Sequence, residues 1–402
     1  MSASPGGEPE AARADYTPAT TTLLAAITRY ARSLYRLRRG NDVTVLRDDE
    51  TFPAMLAAIA AAKRSVVLET YIFEDDASGL KFVSALIERA QAGVDVRLIF
   101  DAIGGFGLDS VHVDRMRAAG VKVVEYHPIA PWRARFNLSH RDHRKILVVD
   151  DEIAFTGGIN LSDDYVPLSS GGRGWYDVHC ALRGPVVADL ARIFRRTWIA
   201  EGGDPYPAPE RAEKRPNLPA NIAVRVVDNT RRKRRGAIRR AYLAAINAAR
   251  RAVLIENAYF LPDRALRRAL ARAAARGCEV AVIVPGRSDV RAVEYAGLYI
   301  YRWFVQRGIR ILRWTGPMMH AKTAVVDGMW STIGSYNLDA RSWRYNLEVI
   351  VEIIDADVGA GMEAQFRIDE QTTTPFALET WQSFAWWRKA LAWLAFRFRS
   401  WL

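Results

Sequence analysis

From Asp42 onward the chain alternates short apolar runs with Ala-rich stretches of helical period. VVLETYIF, VDVRLIFDAIGG and VKVVEY read as strands, with FVSALIERAQAG and VDRMRAAG between them as helices. The rhythm returns later as VLIENAYF, a helical RALRRALARAAARG and the strand CEVAVIVPGRSD. Strands alternating with helices predict an α/β fold, a mixed β-sheet flanked by helices. Residues before about Thr20 are rich in Pro, Gly, Ala and Glu and read as a disordered tail, and Leu23 to Leu37 reads as a basic amphipathic helix. Gly202 to Ala220, rich in Pro and charge, reads as a linker.

The two halves repeat one another. His143 and His320 are 320 − 143 = 177 apart, and Asp150 with Asp327, Gly157 with Gly334, and Asn160 with Asn337 keep the same offset. Glu69 and Glu256, each ending an apolar strand, differ by 187, so an indel of ten residues separates the halves there. An internal duplication follows. It predicts a first α/β domain over 41–201, the linker over 202–220 and a second α/β domain over 221–370, flanked by a tail and helix over 1–40 and an aromatic, basic end over 371–402.

Composition narrows the partners without choosing one. The chain has 402 residues, half of them hydrophobic, and a formal net charge of +12, which favours nucleic acid, an acidic membrane surface or a phosphate-bearing substrate. Cys180 and Cys278 sit in apolar segments without metal-ligand spacing, so buried thiols in a reducing compartment are expected. The N-terminal stretch lacks the apolar core of a signal peptide, and no apolar run reaches about 18 residues, so no membrane-spanning helix is expected.

The chemistry concentrates in SHRDHRKILVVDDEIAFTGGIN, which reads as a hairpin: KILVV, a turn at DDE, and IAFTG returning. Side chains alternate along a strand, so His143 and Lys145 share a face about 7 Å apart, within reach of one phosphate. Asp150 lies about 23 Å further along, at the turn, too far for direct chemistry. The return brings Gly157, Gly158 and Asn160 beside His143; the glycines would let a substrate approach the backbone, and Asn160 could donate to a phosphoryl oxygen. HAKTAVVDGMWSTIGSYN repeats the arrangement with His320, Lys322, Asp327, Gly334, Ser335 and Asn337. An active imidazole needs its second nitrogen held. Asp177 in GWYDVHCAL is therefore expected beside His143, and Glu348 in YNLEVIVEI beside His320. His140 lies three residues before His143, yet no Cys, Asp or Glu cluster completes a metal site there; His112, His127 and His179 read as ordinary packed or surface residues.

Paired H-x-K-x-x-x-x-D motifs followed by G-G-x-N or G-S-x-N resemble the phospholipase D superfamily. Within it the chain is similar to bacterial cardiolipin synthases of the type without an N-terminal transmembrane pair, from about Val43 to Glu370. ETYIFEDD with RLIFDAIGG, and ENAYFLPD with VIVPGRSD, extend the likeness; the basic run from Thr230, TRRKRRGAIRR, departs from it. The resemblance implies two duplicated domains related by a pseudo-two-fold, one site between them, no metal or other cofactor, and His143, Lys145, Asp150, His320, Lys322 and Asp327 as the catalytic motif. It further implies a ping-pong transfer through a phosphohistidine. His143 is expected to be the nucleophile and His320 the acid and base, with Lys145, Lys322, Asn160 and Asn337 around the phosphoryl oxygens. The acceptor the resemblance favours is a phosphatidylglycerol hydroxyl.

A membrane partner is expected from the C-terminal segment. From Phe376 it holds Trp381, Trp386, Trp387, Trp393 and Trp401 interleaved with Arg388, Lys389, Arg397 and Arg399, a pattern that favours the headgroup interface. Two further aromatic and basic stretches, YHPIAPWRARFNL and YAGLYIYRWFVQRG, could guide a headgroup inward or merely pack. The expected setting is an anionic membrane surface, peripherally at the cytoplasmic face of the bacterial inner membrane, with phospholipid substrates and no obligate protein partner. A lipid phosphatidyltransferase ranks first. Behind it come a phospholipase D-type hydrolase or metal-independent nuclease, since aromatics with Arg also stack bases, and last a non-catalytic scaffold.

Overall fold

The computed structural model describes residues 35–129, 137, 139–208, 221–230 and 236–400. Seven strands form the first half: β1 (Arg38–Arg47), β2 (Ser65–Thr70), β3 (Asp95–Asp101), β4 (Lys122–Tyr126), β5 (Ile146–Val149), β6 (Ile153–Gly157) and β7 (Val178–Arg183). The second half repeats them as β8 (Ile222–Asp228), β9 (Ala252–Asn257), β10 (Glu279–Val284), β11 (Arg310–Trp314), β12 (Lys322–Val326), β13 (Trp330–Gly334) and β14 (Val349–Ile354), and adds β15 (Thr373–Pro375). One sheet of 15 strands carries them all, in the order β15-β11-β10-β9-β12-β13-β14-β8-β1-β7-β6-β5-β2-β3-β4.

Read outward from the β1–β8 junction, both arms follow the same sequence of elements, so a pseudo-two-fold passes between these two antiparallel strands. In each arm three strands run parallel, β2-β3-β4 and β9-β10-β11, joined by helices such as Ala77–Gln91 and Arg264–Ala275. The β5–β6 and β12–β13 hairpins join these strands to β7 and β14 through antiparallel pairing. The mixed, duplicated α/β architecture expected from the sequence is present.

Central strands such as VVLET and IAVRVVD are nearly continuous in apolar residues because both of their faces are covered. Outward faces of each half pack under their own helices, with Phe82, Leu86 and Phe155 in the first and Tyr242, Leu270 and Trp330 in the second. Inward faces meet in one shared core: Ile146, Val148, Val178 and Leu182 lie in the same cluster as Val224, Leu254, Val325 and Val351. The two arms therefore hold each other in place. Both cysteines are buried and free, as expected.

The hairpin turns explain one motif residue. Asp150 and Asp151 adopt φ of +54° and +55°, and Asp327 and Gly328 +56° and +66°; paired left-handed residues match the twist of a tight hairpin. Glu152 N–H closes the first turn on the Val149 carbonyl at 2.9 Å, and Met329 N–H closes the second on Val326 at 3.1 Å. Asp150 then accepts the backbone N–H groups of Lys63, Arg64 and Ser65 at 2.7–2.8 Å, and Asp327 those of Arg250, Arg251 and Ala252 at 2.8–2.9 Å. Both aspartates pin the start of a neighbouring strand.

The helix expected over Leu23–Leu37 lies outside the described residues except at its end, where Leu37 packs on the second half's core and the Tyr35 hydroxyl donates to the Asp228 carbonyl. Most of the linker, 209–220, and the basic residues 231–235 also lie outside them. The stretch YAGLYIYRWFVQRG falls largely in the helix Arg291–Val305, where Tyr301 and Phe304 are buried; it packs, and the helix lines the functional cavity through Val293, which precedes the stretch.

Candidate active site

Each motif strand pairs within its own half, but the residues just ahead of it bridge across the pseudo-two-fold. Residues 141–143 run beside 346–347: His143 N–H donates to the Leu347 carbonyl at 3.0 Å, and Leu347 N–H to the Arg141 carbonyl at 2.8 Å. In the mirror arrangement, His320 N–H donates to the Tyr176 carbonyl at 2.7 Å, and Tyr176 N–H to that of Met318 at 2.9 Å. The residue after Leu347 is Glu348, and the residue after Tyr176 is Asp177. Each carboxylate is thereby delivered to the other half's histidine.

The expected pairing is corrected accordingly. His143 Nδ1 lies 3.1 Å from Glu348 Oε2, and His320 Nδ1 lies 2.7 Å from Asp177 Oδ2. Both carboxylates are fully buried. A carboxylate on Nδ1 fixes the Nδ1–H tautomer and leaves Nε2, with its lone pair, as the nitrogen available to the cavity that both rings line. That cavity has a volume of about 440 Å³.

Behind the rings sit the two lysines, also buried. Lys145 Nζ donates to the His143 carbonyl at 2.8 Å, and Lys322 Nζ to the His320 carbonyl. Lys322 Nζ also lies 2.8 Å from His320 Nδ1 and 3.6 Å from Asp177 Oδ2. Since Nδ1–H donates to Asp177, the ammonium acts on the imidazole through its field, with Asp177 shared between them. Burial pushes Lys145 down to about 7 against the pull of Glu348. Burial, then the Lys322 charge, bring His320 to about 4, with Asp177 opposing; burial also lowers His143, with Glu348 opposing. Both imidazoles are thereby pushed toward the neutral form. An arriving phosphodiester anion offsets the lysine field and returns proton affinity to the rings.

The residues after each hairpin act differently from expectation. A Cβ on Gly158 would stand 2.1 Å from Asp177 Oδ1, one on Gly157 2.5 Å from the Val178 carbonyl, and one on Gly334 2.3 Å from the Val349 carbonyl. These glycines make room for the neighbouring strand and for the Asp177 carboxylate, not for substrate. Ser335 also serves the histidine: its hydroxyl donates to Glu348, and its carbonyl lies 3.2 Å from His143 Nδ1. Asn160 and Asn337 do line the cavity. Asn160 is held at both ends, accepting from Ile72 N–H at 3.1 Å and donating to the Tyr165 hydroxyl at 2.6 Å.

Asp150 and Asp327, carried in the motif, stand at the turns described above and do not reach the cavity. Sequence reasoning missed several residues that do reach the site. The Tyr165 hydroxyl lies 3.1 Å from His320 Nδ1, linking Asn160 to that ring. Tyr71 sits edge-on to His143 at 5.0 Å between centroids, Trp175 lies 5.5 Å from the His320 ring, and Tyr259 6.4 Å. The signal existed: Tyr71 and Tyr259 follow Glu69 and Glu256, the repeated strand-end glutamates, and Trp175 stands two residues before Asp177. The glutamates themselves are structural. Glu69 pairs with the buried Arg144 at 2.6 Å, and Glu256 accepts from the Thr323 hydroxyl at 2.8 Å.

Two half-sites that exchange carboxylates across a pseudo-two-fold, each presenting His and Lys from a hairpin, define an enzyme of the phospholipase D superfamily. The match to a family model is specific: residues 55–198 and 242–369 fit the family described as cardiolipin synthase, PLD-like domain, and the chain belongs to it. It is 33% identical over 381 residues to cardiolipin synthase A of Pseudomonas aeruginosa, covering 92% of this chain and 77% of that one. It is 31% identical to a Geobacillus cardiolipin synthase, covering 83% of this chain and 67% of that one, and 31% identical to cardiolipin synthase 2 of Bacillus anthracis, covering 81% and 64%. Among solved structures, phosphatidylserine synthase from Haemophilus influenzae shares the fold at a TM-score of 0.67 and 14% identity, over 94% of this chain and all of that one.

Proposed function

We propose that the chain is a cardiolipin synthase-like phosphatidyltransferase that moves a phosphatidyl group through a histidine intermediate onto a hydroxyl of phosphatidylglycerol. The observation that carries this reading is the pair of imidazoles, each bound through Nδ1 to a buried carboxylate from the opposite half, facing one cavity. In the first step His143 Nε2 attacks phosphorus; the P–N bond forms as the P–O bond to the headgroup alcohol breaks. His320, protonated on substrate binding, gives its proton to the departing oxygen. In the second step His320 takes the proton from the acceptor hydroxyl, whose oxygen attacks phosphorus and displaces His143. Lys145 and Lys322 supply positive field to the non-bridging oxygens, and Asn337 and Asn160 stand at the cavity wall.

The reading includes an interfacial C-terminus and two repeats over 41–201 and 221–370 joined at 202–220. No helix among the described residues is long and apolar enough to cross a membrane. The helix Trp386–Arg397 packs by Ala392 and Phe396 on the helix Arg291–Val305, and turns Trp386, Trp387, Leu391, Trp393 and Leu394 to the exterior. Arg397 lies within that face and Arg388 and Lys389 beside it, the mixture that suits an anionic headgroup layer. Trp381 differs from its neighbours: it is buried, edge-on to Tyr299 at 6.1 Å, and anchors the segment. Trp401 lies outside the described residues.

The test is incubation of purified protein with phosphatidylglycerol vesicles in chelator, with products resolved by mass spectrometry beside a His143→Ala control. Cardiolipin formed only with His143 intact supports the transferase. Phosphatidic acid alone makes it a hydrolase, and cleavage of nucleic acid without lipid turnover makes it a nuclease.

A further inference from the structure

The cavity is not symmetric, although the fold is. Its two carboxylates, Asp289 and Asp339, both come from the second half, and Asp289 stands on the side of His320, held by the Tyr259 that lies beside that ring. The corresponding return after β3 in the first half, Asp101–Leu108, is glycine-rich, and its Asp101 turns inward to accept Arg141 Nη1 at 3.3 Å and the Asp142 N–H at 2.8 Å. Asp339 is committed as well, accepting the Ser342 N–H at 2.7 Å. Asp339 is buried as the N-cap of the helix Ala340–Arg344, whereas Asp289 is the exposed one of the two.

Its position is built rather than incidental. The Tyr259 hydroxyl reaches both Asp289 oxygens, at 2.9 and 2.7 Å, and the Ser288 hydroxyl lies 3.2 Å from one of them. Tyr259 in turn stands beside the His320 ring. Burial and the neighbouring Asp289 charge raise the tyrosine well above its ordinary range, so it remains a donor. Asp289 forms no ion pair among the described residues. A carboxylate can accept about four hydrogen bonds, and these two hydroxyls leave room for more. Within a cavity meant for a phosphate anion, such a group repels the phosphoryl oxygens, so its partner must be a donor on another part of the substrate.

We propose that Asp289, clamped by Tyr259, reads the alcohol part of the headgroup by accepting a hydrogen bond from a hydroxyl remote from the reacting oxygen. The inference rests on the transferase reading, in which His320 protonates the leaving alcohol and deprotonates the incoming one. The alcohol therefore passes on the His320 side, where Asp289 stands, and a glycerol unit offers a second hydroxyl that a simple alcohol lacks. A site that hydrogen-bonds a substrate hydroxyl favours it over the analogue without one, and since Asp289 is exposed, water replaces part of the lost bond and sets a modest preference.

The test gives the full-length protein a phosphatidyl donor in vesicles and lets glycerol compete in turn with ethanol and with ethanolamine as acceptor, scoring each product by mass spectrometry. In the unsubstituted protein glycerol should outcompete ethanol. Asp289→Asn should lower that preference by about two- to ten-fold, the net contribution of one hydrogen bond in contact with water, and Tyr259→Phe should lower it by a smaller factor. Asp289 is exposed, so the substitution does not disturb the core; Tyr259→Phe supplies an independent variant should the first fail to fold. A glycerol-to-ethanol ratio unchanged in both variants, with transfer intact, overturns the proposal and spares the transferase reading. A loss confined to ethanolamine makes the residue an ammonium reader and overturns the hydroxyl assignment. Failure of the unsubstituted protein to transfer phosphatidyl groups to any alcohol overturns the underlying reading and the proposal with it.

Discussion

The exchanged carboxylates give the two histidines separable partners, and Asp177→Asn tests that separation. Asp177 Oδ2 holds His320 Nδ1 at 2.7 Å in a fully buried setting. It opposes the burial and the Lys322 charge that bring His320 to about 4. Neutralising it removes the charge that keeps a proton on this ring, and each unit of further decrease leaves ten-fold less imidazolium at a given pH. Loss of the fixed tautomer adds to this, so transfer from phosphatidylglycerol, whose leaving alkoxide needs a proton, should slow by about 10²–10⁴-fold, the range of general acid catalysis. A phosphatidyl ester of p-nitrophenol leaves as a stable anion without that proton. With it, the same variant should lose less than about ten-fold in the release of nitrophenolate, read in a spectrophotometric burst. Glu348→Gln, which unseats the attacking His143, should slow both substrates alike. Equal losses on the two donors in Asp177→Asn would refute the assignment of Asp177 to the acid. Selective loss in Glu348→Gln would reverse the roles of the histidines.

Three further outcomes follow from the same geometry. Lys145 is cationic below its depressed value of about 7 and neutral above it, so kcat/KM, which reports the free enzyme, should fall on the alkaline side near pH 7; Lys145→Arg should abolish that limb whatever its residual rate. Asp150→Ala removes three backbone hydrogen bonds at the hairpin turn and should cost about 1–3 kcal/mol of stability. Calorimetry should show a lower Tm, while kcat/KM well below Tm stays within about three-fold; a large rate loss without destabilisation would return Asp150 to the chemistry. Replacing Trp386, Trp387 and Trp393 by Ser should weaken co-sedimentation with anionic vesicles without changing the circular dichroism spectrum, and unchanged binding would remove the helix from the interface.

Much of the architecture was legible in the sequence because local pattern and repetition agreed. KILVV-DDE-IAFTG could hardly be anything but a hairpin, and the constant offset of 177 through His, Asp, Gly and Asn made the duplication plain. Strand arithmetic also placed Asp150 far from the chemistry, where the structure has it. The partner of each histidine was not legible. Asp177 follows His143 within one half, and spacing along the chain favours that pairing, yet the bridge between Tyr176 and Met319 crosses the pseudo-two-fold and hands Asp177 to His320. Contact between halves leaves no periodic trace when both halves carry the same motif. Gly157 and Gly158 misled for a related reason: absence of a side chain announces a close approach without saying what approaches, and here it is β7 and a carboxylate. The asymmetry that sets Asp289 on one wall of the cavity lies in corresponding loops that differ between the two repeats, where register arguments do not reach.

The most direct measurement of the central claim is to trap the covalent intermediate. In His320→Ala, His143 should still attack the phosphorus of the p-nitrophenyl ester and release p-nitrophenolate, but the variant lacks the base that activates the acceptor to discharge the adduct. Acid-free quenching and peptide mass spectrometry should then find a phosphatidyl adduct on the peptide that carries His143, and none when Glu348→Gln is added. An adduct on any other residue, or turnover to cardiolipin with no adduct at His143, would contradict the account.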